Sequence, residues 1–452
     1  MAEVVPFRGL RYNLEKIPDL NLLVTPPYDV ISPAEQKAFH QLNPYNMIHL
    51  ELGLRDPGDN AQHNPHTRAA EYLQTWQKER ILIREAEPVI YCYTLSFSLA
   101  PDVRQTRYGF ICALRLEDFR TGGVRPHEKT FRAVKEERLQ LMLACHADLS
   151  PIFALYDDPA RVIDHHLLQG RESEPSMAFR DAEGMEHRLW RVSDPKVLRQ
   201  VRALMLDKPI FIADGHHRYE TALAYRDLQR ERLPGAGKLA SFEYVMIYLS
   251  NMNQSGVTIL PTHRMLRHLG SWQPEPFLAQ AEQFFECSSF AAGVLALGEV
   301  PQAWREAVGQ GEKDKETRIG FYSRDNSQFY ALKAKRDAIS AYLSTQDLPR
   351  LLHHLDVVVV DQIILRRLMG LSESFLADEN NIHFRHDWSD ALTQLQSGYY
   401  DAGFFINPTR IEQVREVASA GLIMPHKSTY FYPKVMSGLV INPLPPGEEM
   451  LW

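Results

Sequence analysis

The sequence predicts a protein of the α+β class, in which buried strands and amphipathic helices alternate along the chain. Two runs, PVIYCYTLSFSL (88–99) and RYGFICALRLEDF (107–119), alternate apolar and polar residues, as neighbouring strands do. A short apolar run at 209–213 is followed by DGHHR and then by a helical pattern. The apolar run FEYVMIYLSN (242–251) comes next. Together these segments predict a strand–helix–strand unit with a polar joint.

Composition and charge narrow the class of protein. The chain has 452 residues, of which 44% are hydrophobic, and a net charge of −7. These values are typical of a soluble globular protein long enough for two or three domains. Because the chain is acidic, we expect no specific nucleic-acid partner. It has no apolar run near the roughly 18 residues of a membrane span and no signal-peptide pattern. Four scattered cysteines fit a reducing compartment. We therefore expect a cytoplasmic protein without a membrane partner; the oligomeric state stays open.

We divide the chain into four segments. Residues 1–158 form an N-terminal α/β part that holds PPYDVIS and RPHEKT. Residues 159–266 form the core that holds ADGHHRYETAL. Residues 267–350 form an inserted, charge-rich α/β segment, and 351–452 form a C-terminal α/β part that packs back on the core.

Local signals place two helices in the N-terminal segment. Ser32 has the side chain of an N-cap, Pro33 suits the first helical position, and Glu35 completes a capping box. These three residues predict a helix start. A second helix is predicted near 67–80, where apolar residues recur at helical spacing.

The joint DGHHR combines a turn with residues that bind anions. Gly215 allows a positive φ and close approach of a ligand to the backbone. The N-terminus of the following helix favours negative charge. Arg218 would bind phosphoryl oxygens bidentately, and His216 and His217 would donate hydrogen bonds or shuttle protons. Asp214 would position a hydroxyl group or Mg²⁺. The alternative is an inert turn in which Arg218 only pairs with a nearby carboxylate.

Several motifs carry a family resemblance. ADGHHR before a helix resembles the nucleotide-phosphate motif of the ParB/sulfiredoxin superfamily, in which free-serine kinases carry DGHHR and sulfiredoxins carry GCHR. Over nearly its whole length, the chain resembles the bacterial family domain of unknown function 1015. The shared motifs are PPYDVIS, NPYNMIHLELG, RPHEKTF, LSPIFALY, ADGHHRYETAL, ILPTHR and KSTYFYPK.

The resemblance implies a fold and a set of site residues. The fold is a ParB/sulfiredoxin-like core, with a strand–DGHHR–helix phosphate site, elaborated by additional α/β segments. The ligands are ATP or ADP with Mg²⁺. Asp214 and His216 become candidates for catalysis, and Gly215, His217, Arg218 and Lys129 become candidates for binding phosphate.

The serine kinases also imply a catalytic glutamate in a His-Glu pair upstream of DGHHR. RPHEKT provides His127 and Glu128, with the cation of Lys129 beside them. A carboxylate base beside cations suits phosphoryl transfer. About 86 residues separate Glu128 from Asp214, more than in the small kinases, so an insertion lies between them. The alternative is a charged surface turn before a helix.

Three further segments supply weaker candidates for substrate contact. These candidates are Tyr28 and Asp29 in PPYDVIS, His263 and Arg264 after the run VTILP, and Lys427 in KSTYFYPK. Polar groups that follow strands often lie at the sites of α/β proteins. Each segment also has a structural interpretation, as a rigid turn, a strand end or a packed strand.

We therefore expect a phosphoryl-transfer enzyme that acts between an adenine nucleotide and a small hydroxyl compound, such as free serine. In reverse, the same site would dephosphorylate phosphoserine. Two alternatives stay open. The first is a ParB-like nucleotide-binding switch, although the sequence has no basic helix-turn-helix pattern. The second is a phosphatase that uses water as the acceptor.

Overall fold

The protein has a mixed α+β fold with two large sheets. The computed structural model describes residues 2–100, 102–291 and 296–450. The chain forms two compact units. The first unit comprises Met1–Pro126, Thr130–Thr258 and Pro433–Trp452, and the second comprises His127–Lys129 and Ile259–Tyr432. No helix within the described ranges is long and apolar enough to cross a membrane.

The first unit is built on a nine-stranded sheet. Its fully buried central strand, Tyr244–Asn251, pairs antiparallel with Val103–Arg115 and parallel with Ile152–Tyr156. Val103–Arg115 forms a hairpin with Ile90–Ala100, which confirms the adjacent strands predicted from their alternating patterns. The strands of this unit are Val4–Val5, Leu10–Tyr12, Leu82–Arg84, Ile90–Ala100, Val103–Arg115, Val124–Arg125, Ala147–Asp148, Ile152–Tyr156, Met177–Arg180, Glu186–Val192, Ile210–Asp214, Tyr244–Asn251 and Asn442–Pro443.

Helices bury apolar faces against this sheet. Tyr219, Ala222 and Tyr225 of one helix join the same hydrophobic core as Ile212 and Ile247 of the strands. The α-helices of the first unit are Pro33–Leu42, Ile48–Glu51, Pro65–Lys78, Arg132–Cys145, Val162–Gly170, Pro195–Met205 and His216–Arg232. Short 3₁₀ turns lie at Leu20–Leu22, Tyr28–Val30, Phe119–Thr121 and Ser241–Glu243.

The predicted helix starts of the N-terminal segment are confirmed. The Ser32 hydroxyl accepts a hydrogen bond from the backbone N–H of Glu35, and the Glu35 carboxylate accepts one from the N–H of Ser32. This reciprocal pair is the predicted capping box, with proline at the start of the helix. The second predicted helix is Pro65–Lys78, which buries Leu73 and Trp76.

The second unit contains a six-stranded antiparallel sheet. In spatial order, its strands are Phe285–Phe290, Gln328–Ala334, Arg318–Ser323, Ala402–Phe405, His263–Leu266 and Ile382–Arg385. Its helices are Pro274–Ala281, Gln302–Asp314, Arg336–Thr345, Arg350–Leu352, Asp356–Val358, the π-helix Val359–Leu368, Glu373–Ala377, Trp388–Gln396 and Ile411–Ser419. Two short strands lie near the start and the end of the unit's main segment, 259–432; they are Thr258–Leu260 and Tyr430–Tyr432.

Each of the two large sheets contains strands from more than one of the four segments predicted from sequence. The six-stranded sheet contains strands from both 267–350 and 351–452. Residues 433–452 belong to the first unit, together with ADGHHR. A ParB/sulfiredoxin-like core within 159–266 stays a prediction.

Candidate functional site

The DGHHR residues occupy the joint between a buried strand and a long helix of the first unit. The strand Ile210–Asp214 lies between Val124–Arg125 and Ile152–Tyr156 in the sheet. Its register shifts near Asp214, where the strand ends. Gly215 follows in the left-handed region, with a φ of 90°, and the helix His216–Arg232 begins at once. The apolar run, the glycine and the polar helix start therefore form the predicted strand–turn–helix.

Gly215 is the N-cap residue of this helix, and it has no side chain that could accept a hydrogen bond from the first-turn N–H groups. The first turn of the helix also has no acidic residue. A helix N-terminus concentrates N–H donors and positive dipole, which favours a bound anion. The geometry suits a phosphate group.

The Asp214 carboxylate lies between two cations. One oxygen accepts a hydrogen bond from Arg218 Nη2, and the other contacts Lys434 Nζ. The side chains of all three residues are 11% exposed. Burial opposes the charge of Arg218, but the carboxylates of Asp214 and Asp29 outweigh it, so the pKa of Arg218 is raised. This group adds positive charge beside the helix start.

Arg218 has two hydrogen-bonding partners within the protein. Its Nη1 atom donates to the carbonyl of Pro151, and its Nη2 atom donates to Asp214. These bonds use two of the five N–H groups of the guanidinium. The pairing with a nearby carboxylate is therefore present, and the contact with phosphate stays a prediction. Arg218 thus orients Asp214.

Lys434 was missed by the sequence interpretation, which selected Lys427 from the same stretch, KSTYFYPK. Lys434 lies seven residues further on and 220 positions from Asp214 in sequence. KSTYFYPK is one of the shared motifs, and this is the signal in the sequence that could have indicated Lys434. Lys434 joins the candidate site of the first unit.

His217 has a defined hydrogen-bonding role. Its Nε2 atom accepts a hydrogen bond of 2.9 Å from the backbone N–H of Phe131. A neutral imidazole that accepts at Nε2 carries its proton on Nδ1, so Nδ1 is a donor. The ring of Phe131 stacks on His217, with centroids 6.1 Å apart. The adjacent His216 is also part of the helix start and is buried, with 4% exposed.

Glu220, in the first turns of the same helix, fixes the segment that follows RPHEK. Its carboxylate accepts a hydrogen bond of 2.9 Å from the Thr130 hydroxyl and contacts Lys135 Nζ. Glu220 therefore anchors the N-terminal end of the helix Arg132–Cys145 to the helix His216–Arg232.

The motifs PPYDVIS and NPYNMIHLELG also reach this region of the first unit. The guanidinium of Arg138 lies 4.3 Å from the centre of the Tyr28 ring and donates from Nη1 to the carbonyl of Glu51 at 2.8 Å. Burial raises the pKa of both Tyr28 and Glu51. Asp29 is exposed, but its charge acts on Arg218. Glu51 and Arg138 were not singled out from sequence.

Glu128 belongs to a separate cluster in the second unit. Its Oε1 atom accepts a hydrogen bond of 3.0 Å from the backbone N–H of Lys427 and lies 3.1 Å from His426 Nδ1. His127 contacts the Thr429 hydroxyl at 3.0 Å through Nε2. The Glu128 side chain is 17% exposed, while Lys129 is exposed. His127 and Glu128 are thus neighbours of the stretch around Lys427 within the second unit.

Arg264 joins the same cluster through the backbone. Its Nη2 atom donates to the carbonyl of Lys427 at 3.2 Å, and its Nη1 atom donates to the carbonyl of Thr262. Burial lowers the pKa of Arg264 to about 10, against the opposing effects of Asp361 and Glu128. Lys427 itself has a φ of 54°, in the left-handed region. Arg264 therefore holds the Lys427 turn in place.

His263 is a core residue, which corrects its predicted contact with substrate. It is fully buried and packs against Trp388 and Phe405, with ring centroids 4.9 Å away in both cases. Its Nδ1 atom accepts a hydrogen bond of 3.2 Å from the N–H of Ile406. Burial lowers its pKa well below the usual value, so the ring is neutral.

The predicted magnesium ligand does not fit a metal held by the protein. Both carboxylate oxygens of Asp214 already contact cations. Across the described residues, no group of three or more His, Cys, Asp or Glu side chains is placed to hold a metal. Magnesium prefers carboxylates and phosphate oxygens without competing cations.

The comparisons with known proteins identify a family. The model of the family described as protein of unknown function (DUF1015) matches residues 4–358. The chain therefore belongs to this family, as its motifs predicted. No curated protein matches the chain significantly.

Several solved structures resemble the chain at low identity. One is a free serine kinase variant in complex with AMP, at 11% identity and a TM-score of 0.32, with 68% of this chain and 84% of that chain covered. Another is C-terminally truncated SbnI from Staphylococcus aureus, at 9% identity and a TM-score of 0.34, with coverage of 74% and 87%. A conserved hypothetical protein from Pyrococcus furiosus shows 11% identity and a TM-score of 0.32, with coverage of 69% and 89%.

Proposed function

We propose that this member of the DUF1015 family binds the phosphate groups of an adenine nucleotide at the DGHHR turn and transfers a phosphoryl group. The observation that supports this proposal best is the helix start that follows the glycine N-cap Gly215, beside the cations of Lys434 and Arg218. N–H donors, helix dipole and nearby cations together favour a polyphosphate over a neutral ligand.

The candidate residues of the first unit have distinct parts in this proposal. The N–H groups of the first helical turn bind a phosphate. His217, with Nδ1 protonated, is a further donor. Lys434 supplies charge, while Arg218 orients Asp214. Bound Mg²⁺, where the nucleotide brings it, would neutralise phosphate charge through phosphate oxygens.

The acceptor in this proposal is a small hydroxyl compound, with free serine as the first compound to test. The resemblance to serine kinases makes Glu128 the candidate base. Its carboxylate accepts an N–H hydrogen bond, which orients the group. Lys427 provides that N–H from its backbone.

The test is binding followed by turnover. Saturating ATP or ADP, at about a hundred times its dissociation constant, should stabilise the fold by roughly 2.7 kcal/mol. Radiolabelled nucleotide, with serine or phosphoserine, then reports on transfer. Absence of any melting shift with millimolar ATP, ADP or AMP would refute the proposal. Nucleotide binding with release of inorganic phosphate, and without a phosphorylated acceptor, would favour a phosphatase instead.

A further inference from the structure

A small cavity lies beside Arg218 in the first unit. Its volume is about 60 Å³. Its lining includes the apolar residues Leu141, Met142, Ile152 and Val245 together with polar and charged residues. The volume is several times the roughly 10–15 Å³ that a single water molecule needs, so an organic molecule of a few heavy atoms fits.

Three residues that line the cavity each have a buried polar atom without a hydrogen-bond partner in the described part of the chain. These atoms are Glu51 Oε2, Thr221 Oγ1 and Arg218 Nε. Glu51 is 2% exposed and Thr221 is 3% exposed. Folded proteins rarely leave buried polar atoms unpaired. The cavity therefore provides a cationic donor, a carboxylate acceptor and a hydroxyl for a polar occupant.

We propose that this cavity binds the α-amino and α-carboxyl groups of a small amino acid, which is the acceptor class for the proposed transfer. The inference rests on the proposed function. Arg218 Nε donates to the carboxylate of the amino acid, and Glu51 Oε2 accepts from its ammonium group. The Thr221 hydroxyl serves either group, and the apolar wall contacts a short side chain.

The same residues disfavour other ligands. A phosphate dianion in the cavity would meet the Glu51 carboxylate, and like charges at close range repel. A purely apolar molecule would leave the three polar atoms unpaired. The zwitterion of an amino acid satisfies both signs of charge at once.

A larger cleft adjoins the cavity. It has a volume of about 690 Å³ and shares Glu51, Arg138 and Leu141 with the cavity as lining residues. This volume lies within the range of small-molecule sites. Because the Arg138 side chain borders both spaces, its movement would join them and give the amino acid a route of access.

The first test is a calorimetric titration of the intact chain with L-serine and L-alanine, with and without ADP. Alanine has the same backbone groups but no hydroxyl, so it should bind without acting as an acceptor. Propionate and ethylamine, which each lack one charged group, should bind at least tenfold more weakly. Binding of ADP without binding of either amino acid would overturn this inference and leave the proposed function intact. Loss of ADP binding as well would contradict the proposed function itself.

Two variants locate the amino acid. Thr221→Val keeps the shape but removes the hydroxyl, so alanine should bind about three- to tenfold more weakly. Because that hydroxyl has no hydrogen-bond partner among the described residues, the melting temperature should stay unchanged or rise. Glu51→Gln should weaken alanine binding about tenfold to a hundredfold. ADP affinity should not change in either variant.

Glu136→Gln is the matched control. Glu136 lies on the exposed face of the helix Arg132–Cys145, with a side chain that is 59% exposed. Its substitution removes the same charge without touching the cavity, so both affinities should equal those of the wild type. Unchanged alanine affinity in both Thr221→Val and Glu51→Gln would overturn the inference.

Discussion

Substitution of Gly215 by alanine adds a single carbon atom, the Cβ, beside the proposed phosphate site. The backbone there has a φ of 90°, which costs a residue with a Cβ about 1–3 kcal/mol. The added Cβ would also lie 2.9 Å from Nε and 3.0 Å from Cζ of Arg218. The guanidinium would have to move, which weakens its hydrogen bonds with Asp214 and Pro151. A charge-assisted hydrogen bond contributes about 1.5–3 kcal/mol, so with one such bond lost we expect a total loss of about 2.5–6 kcal/mol.

Urea unfolding and calorimetric titration with ADP measure both consequences of Gly215→Ala. The free energy of unfolding should fall by the amount above, and ADP affinity should fall at least tenfold where protein remains folded. Gly235→Ala is the control, since a Cβ there meets nothing within 4 Å. Its stability should change by less than about 0.5 kcal/mol. A Gly215→Ala protein that unfolds and binds ADP like the wild type would refute this account of the turn.

Three other substitutions test separate parts of the account. Lys434→Gln removes one of the cations beside Asp214, so ADP affinity should fall about tenfold in calorimetry; unchanged affinity would remove Lys434 from the site. Glu128→Gln should leave ADP affinity unchanged and reduce phosphoryl transfer by about 10²–10⁴; full turnover would make RPHEKT a structural turn. Burial raises the pKa of Asp148 to about 6, whereas an aspartate in the unfolded chain titrates near 4. Between these pH values the folded state binds more protons than the unfolded state. The stability of the fold therefore falls as the pH rises from about 4 to 6. Asp148→Asn should therefore exceed the wild type in stability by about 2–3 kcal/mol at pH 7 and match it near pH 4; equal differences at both pH values in urea unfolding would contradict this.

Local patterns predicted much of the first unit. The capping box at Ser32 involves residues three positions apart, and the hairpin strands alternate over their whole length. The DGHHR joint also depends on local chemistry, because its glycine must adopt a positive φ. Such features need no knowledge of the rest of the fold.

Long-range partners could not be predicted in the same way. Lys434 meets Asp214 across 220 positions, and Arg138 meets the carbonyl of Glu51 across 87. Which lysine of KSTYFYPK reaches the turn depends on where the chain re-enters the first unit, and no local pattern encodes this. Arg218 is a related case, since its spacing fits both a phosphate contact and an ion pair with Asp214.

His263 shows a further limit of sequence patterns. A polar residue after an apolar run predicts a strand end, but this histidine lies within the buried strand His263–Leu266. Its neighbours Trp388 and Phe405 come from distant parts of the second unit and make the position apolar. The residue type alone does not distinguish a core imidazole from a ligand.

Hydrogen exchange of the intact chain, measured with ADP and with adenosine, tests the central claim most directly. The claim is that the backbone N–H groups at the start of the helix His216–Arg232 bind phosphate. ADP should therefore slow exchange in peptides that contain residues 216–218, relative to the protein without ligand. Adenosine, which lacks phosphate, should leave exchange in these peptides unchanged. Protection by ADP elsewhere in the chain, with no change at 216–218, would contradict the account.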